Sequence, residues 1–229
     1  MHPALQALFE RHVASSFDKQ LFLARLIGDL RWEFDLDAGT ITFGDRYTWP
    51  IQVLGIVSEA TGTWLWAWAI TATPVPPLVL KVAEAVRRLG ASKGIPELIE
   101  AELPGGDATG TMLSMVASGV FRANAFYRAS YPGAAAYLLI ASPDFPANSE
   151  PPAARVPGIL PQALTRFGAR HPVDHRKALL GYLKDHGLHG EPENGDLVIG
   201  NGTGDLLRAR FDAEGRLASI GADVVGRRV

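Results

Sequence analysis

The sequence predicts an α+β protein with a curved antiparallel sheet and helices packed mainly on one side. Three observations carry that expectation. Apolar side chains recur at three- and four-residue spacing over residues 3–28; the period then drops to two over residues 31–70; and beyond residue 70 prolines and glycines divide alternating helical and extended stretches.

The first helix starts at Pro3, which suits the first helical position, and Leu5, Leu8, Phe9, Val13 and Phe17 form its apolar stripe. Gly28 is a natural stop, and Ser15-Ser16 offers a break that would make two helices of one. Trp32, Phe34 and Leu36 then alternate with Arg31, Glu33 and Asp35, and Asp37-Ala38-Gly39 turns the chain into Ile41 and Phe43. Strands over 47–58 and 63–70, joined by Glu59-Ala60-Thr61-Gly62, complete a four-strand meander. A helix from Leu78 to Leu89 stops at Gly90, Pro96 opens a short helix carrying Glu97, Glu100 and Glu102, and Asp107 caps a helix running to about Phe121. Strands at 122–130 and 134–141 flank Tyr131-Pro132-Gly133, a type II turn sequence.

Six prolines fall between Pro143 and Pro161, a density that argues against a long helix. The expected organisation is therefore a main α+β domain over 1–142, an extended Pro-rich connector over 143–160, and a C-terminal helix–strand subdomain over 161–229 that packs on the main domain. That last part is too small to bury much surface alone. It contains helices at 161–168 and 175–186, the second capped by Asp174 and ended by Gly187, and strands at 196–199, 205–212 and 216–223.

The most unusual segment is Gly62-Thr63-Trp64-Leu65-Trp66-Ala67-Trp68-Ala69, with three of the chain's five tryptophans. On one strand, Trp64, Trp66, Trp68 and Ile70 share a face, and Leu65, Ala67 and Ala69 share the other. Either the indoles fill the core of a curved sheet, or they wall a pocket in which their N–H groups find partners. Gln52 on the preceding strand supplies an amide to such a pocket, and Gly55 leaves room for a Trp to lie across it.

The runs Trp32-Glu33-Phe34-Asp35, Ile41-Thr42-Phe43-Gly44, Gln52-Val53-Leu54-Gly55 and Gly62-Thr63-Trp64-Leu65-Trp66-Ala67-Trp68 resemble a bacterial family of domains of unknown function. The resemblance covers roughly residues 1–140, and the Trp-rich strand is its most specific part. That family commonly carries Asn where this chain has Ile70, so one polar candidate is missing. The resemblance implies a domain extent and no activity.

Other chemistries find little support. There is no Cys, which removes disulfides, thiolate metal sites and cysteine nucleophiles. His171 and His175 are split by Pro172 and the Asp174 cap, and His186 and His189 by Gly187, so no metal is expected. Gly105–Thr111 has P-loop glycine spacing, but Thr111 stands where the lysine is required. The glycine-rich run 200–205 lies between strands and reads as a hairpin loop. Arg208 and Arg210 share a strand face, but with a net charge of −2 no nucleic-acid partner is expected. No secretory leader and no membrane-spanning run is evident, so a cytoplasmic location is expected.

The functional expectation is a non-catalytic small-ligand-binding or interaction module whose pocket is formed by Trp64, Trp66, Trp68 and Gln52, with a small-molecule ligand, no cofactor and no membrane partner. An enzyme acting on a small organic substrate and a structural partner-binding protein are the alternatives. No catalytic residue and no protein partner is assigned.

Overall fold

The first helix sets the frame. In the computed structural model, which describes residues 1–72, 74–200 and 206–222, α1 runs unbroken from Pro3 to Ile27. Ser15 does not interrupt it, because its hydroxyl is held by the His12 carbonyl and the Asp185 carboxylate. The chain forms two compact units. One comprises Met1–Phe9 and Lys19–Pro146; the other comprises Glu10–Asp18 and the chain from Ala147 onward.

The first unit is α+β, built on an antiparallel sheet curled into a half-barrel. Strands β1 (Trp32–Asp35), β2 (Thr40–Phe43), β3 (Tyr47–Ser58) and β4 (Thr63–Trp66) make the expected meander, and β5 (Glu102–Pro104) joins its far edge. β6 (Ala125–Tyr131) pairs with β7 (Ala134–Ile140), which lies along Ile51–Ser58 of β3. β3 thus belongs to both parts of the sheet, and a bulge between Val53 and Gly55 lets it bend. On one face, Ile51, Val53, Ala136, Leu138 and Ile140 pack with Val79 and Ala83 of helix α2 (Pro77–Lys93) and with Leu23 and Ile27 of α1. Tyr137 has the opposite parity and lies against Gly110 of helix α3 (Gly106–Val120).

Several boundaries differ from the sequence reading. α2 does not stop at Gly90 but continues to Lys93 and is capped by left-handed Gly94. Gly90 is needed for contact instead, since a Cβ there would lie 2.6 Å from Leu98 Cβ. The Pro96 helix is one 3-10 turn, Pro96–Leu98, and Glu102 begins a strand. Gly105, not Asp107, caps α3; Asp107 sits in the first turn and turns its carboxylate to Arg128.

In the second unit, α4 spans Pro152–Gly168, α5 spans His175–Asp185, and β8 (Gly190–Glu193), β9 (Asp196–Gly200), β10 (Leu206–Phe211) and β11 (Leu217–Ala222) form an antiparallel sheet. β8 was not anticipated. Much of the stretch expected to be an extended connector is helical, with Pro157 and Pro161 inside α4. An interior proline costs a helix about 3 kcal/mol. Burial of Val156, Ile159, Leu160 and Leu164 on one α4 face, at roughly 1.5–3 kcal/mol per side chain, offsets that. Pro152 sits at the helix start, where the lack of an N–H costs nothing. The expected glycine-rich hairpin at 200–205 lies, beyond Gly200, outside the described residues.

Candidate functional site

The tryptophan strand divides. β4 ends at Trp66, and Ala67–Ala69 form a 3-10 turn, so Trp68 does not continue the strand face. Trp64 and Trp66 do share one face; both are fully buried, and their rings meet edge to face at 5.3 Å. Trp64 also meets Tyr137 edge to face at 5.4 Å. Two glycines make room for it. A Cβ on Gly55 would lie 2.5 Å from Trp64 Cζ2, and one on Gly110 would lie 3.0 Å from Trp64 Cε3. Trp66 Nε1 donates to the Glu97 carbonyl at 3.1 Å, whereas Trp64 Nε1 is buried with no hydrogen-bond partner among the described residues. Trp68 is half-buried, with the Arg87 guanidinium 4.2 Å above its ring. The Gln52 amide donates to the Leu78 carbonyl at 3.0 Å and accepts from the Val82 N–H at 3.1 Å. The structure therefore brings Trp64 and Trp66 together, while Trp68 and Gln52 make their contacts with α2.

Near Trp64, Tyr137 donates to Asp107 Oδ1 at 3.0 Å, and Arg128 grips the same carboxylate through Nε and Nη2, each at 2.8 Å. The Arg128 hydrogen bonds, against some cost of burial, hold the Asp107 carboxyl below the usual carboxylate range. Burial pushes the Tyr137 phenol up to about 12. With its oxygens occupied, this cluster ties the first turn of α3 to β6 and β7.

The second unit contains an open-sided cleft of about 670 Å³. Its walls are the end of α4 (Leu164, Thr165, Gly168), the Pro172–Asp174 segment, the start of α5 (His175, Arg176) and the β10–β11 turn (Glu214–Arg216). Local bonding fixes Asp174, His175, Arg176 and Arg216. The Asp174 carboxylate caps α5 by accepting the Lys177 N–H. Asp212 accepts from the Glu214 and Arg216 backbone N–H groups and from Arg216 Nε, which sets the turn. Arg176 stacks over Phe211 at 4.2 Å. His175 Nδ1 accepts the Leu217 N–H at 2.8 Å, so in the neutral ring the proton sits on Nε2. Burial lowers the His175 pKa; Asp174 and Asp212 oppose that, and Arg216 adds to it.

A model of a family of unknown function, DUF6882, matches residues 6–143, more than half of the chain and including the tryptophan strand. The chain belongs to DUF6882. No curated protein and no solved structure matches it. The DUF6882 match contains the Trp64–Trp66 and Asp107–Arg128–Tyr137 clusters and ends before every residue of the cleft. The cleft is not legible in the sequence, where His175 stands out only as half of a histidine pair that cannot share a metal. The available signals were the run His171-Pro172-Val173-Asp174-His175, which sets an imidazole at a helix start, and Arg216 directly after a tight turn. What brings them together is sheet pairing forty residues further on, which no local pattern encodes.

Among the described residues, no helix is long and apolar enough to cross a membrane. Arg208 is paired with Glu193 and lies 3.7 Å from Asp196, which also faces Arg210 at 4.0 Å.

Proposed function

We propose that this DUF6882 chain is a non-catalytic small-ligand-binding protein and that the ligand occupies the cleft of the second unit. The observation that carries this reading is the cleft itself. Its volume falls in the range of about 300–1,000 Å³ common to ligand pockets, and it pairs an apolar wall (Leu164, Pro172, Val173) with a few fixed polar groups. A neutral His175 offers a single oriented donor, as recognition of a small polar molecule needs. Binding is favoured over chemistry because three of the lining ions are already paired: Arg216 with Glu214 and with Asp212 outside the cleft, and Asp174 with Lys177.

The test is a melting-temperature screen against a library of small polar metabolites. A ligand at a hundred times its Kd adds about 2.7 kcal/mol to apparent stability. Gly168 lines the cleft, has ordinary helical backbone, and has nothing within 4 Å of an added Cβ. Gly168→Leu therefore fills the cleft without straining the fold. The expected result is an unchanged melting temperature without ligand and loss of the ligand-induced rise. A rise that survives Gly168→Leu would move the site elsewhere, and a library with no hit would remove the reading.

A further inference from the structure

β1 closes one end of the seven-stranded sheet. The Gly44 N–H donates to the Arg31 carbonyl at 2.7 Å, which makes Arg31 and Gly44 a hydrogen-bonded pair. By the alternation of antiparallel ladders, Glu33 and Asp35 then bond inward to Thr42 and Thr40. The N–H and C=O groups of Trp32 and Phe34 consequently point away from β2, along the outer edge. The two faces of this edge differ in chemistry. Trp32 and Phe34 are half-buried and stacked, with ring centroids 6.0 Å apart and planes 6° from parallel, and Trp32 touches Tyr127 edge to face. On the other face Glu33 and Asp35 are exposed beside Thr42 and Thr40, and behind them come Thr48 and Pro50. Arg31, just before the strand, is the cation of that row, and Asp37 follows in the turn.

We propose that the β1 edge is a docking site for an extended peptide strand of alternating apolar and basic residues. The peptide's backbone pairs with Trp32 and Phe34. Its apolar side chains lie on the Trp32–Phe34 stack, and its lysines or arginines face Glu33 and Asp35. This inference is independent of the cleft and lies within the part matched by the family model.

The experiment uses the full chain, isotope-labelled for amide NMR, and two capped heptapeptides, one alternating lysine and valine and the other alternating glutamate and valine. The lysine peptide is expected to shift the Trp32 and Phe34 amides and to bind about fivefold or more tightly than the glutamate peptide, as one opposed charge pair supplies. Glu33 is exposed, so Glu33→Lys leaves the fold intact and reverses that preference. Equal binding of the two peptides, shifts confined to other strands, or an unaltered preference in Glu33→Lys overturns the proposal. So does concentration-dependent shifting of β1 without peptide, which identifies a second copy as the occupant.

Discussion

At the scale of single residues, the best-determined feature is the grip on Trp64. A Cβ at Gly55 would come within 2.5 Å of both the indole and the Leu65 carbonyl oxygen, and the second of these is backbone that cannot swing away. Gly55→Ala is therefore expected to destabilise the chain by about 1–3 kcal/mol, the usual cost of overpacking, read as a lower urea midpoint at unchanged slope. A midpoint equal to that of the parent chain would mean that β3 and β4 can part locally. Period-two parity was enough to put Trp64 and Trp66 on one face, and a glycine inside a strand was enough to raise the prospect of a Trp across it. Parity does not reach Trp68 because Ala67-Trp68-Ala69 suits a strand and a tight turn equally; the chain takes the turn, which sets the Trp68 ring beneath the Arg87 guanidinium of α2. The partners of Gln52 are hidden from the sequence for a related reason: they are backbone groups of Leu78 and Val82, whose placement beside β3 is tertiary.

At the scale of elements, α1 and α4 show why a chemically unusual helix can be stable. The middle of α1 is polar on a buried face, and its partners come from α4 and α5. Asp18 accepts from Arg155 Nε and Nη2 and from the Tyr182 hydroxyl at 3.1 Å; His12 Nδ1 and the Ser15 hydroxyl meet Asp185 at 2.9 and 2.7 Å; and Lys177 reaches Glu10 at 3.2 Å. The pair of Asp18 and Arg155 is buried on both sides. Removing one partner leaves an uncompensated charge, so Asp18→Ala is expected to cost about 3–5 kcal/mol. Replacing both, with Asp18→Leu and Arg155→Met, is expected to restore most of that loss, because the desolvation penalty then disappears from both partners. Chemical denaturation of the three variants separates a charge effect from a packing effect; a double variant as unstable as the single one would assign the loss to packing. The sequence made α5 and its Asp174 cap legible, since capping and periodicity are local. It hid the first half of α4, because the forces that outweigh its prolines are a buried face and an ion pair 137 residues apart.

At the scale of the whole molecule, acid sensitivity divides between the two units. His175 has a lowered pKa in the folded chain, so its neutral form is the one that folding favours. The stability it contributes is complete above the unfolded value of about 6.5 and is lost as pH falls through the folded value. Protonation at Nδ1 also abolishes the acceptor for the Leu217 N–H, which loosens the start of β11. Asp107 and Asp185 are likewise depressed. Asp107 owes this to Arg128; Asp185 must overcome burial, which its bonds from His12 and Ser15 do. Their contributions are present above the unfolded carboxylate value of about 3.9 and disappear as pH falls further. The units are therefore expected to soften in order. Between pH 7 and 5, the hydrogen-exchange protection factor, taken relative to the unfolded amide at the same pH, should fall at Leu217 and its neighbours in β11 while α3 and β6, tied by Asp107 and Arg128, stay protected. Below about pH 4 protection should fall in both units, since Asp107 belongs to the first and Asp185 to the second. Equal loss of protection in α3 and β11 on going from pH 7 to 5 would contradict this order. His175→Gln supplies the control: it removes the ring that accepts the Leu217 N–H, so the loss of protection at Leu217 between pH 7 and 5 should vanish, leaving only what His171 contributes, whose pKa burial also lowers, while the step near pH 4 remains.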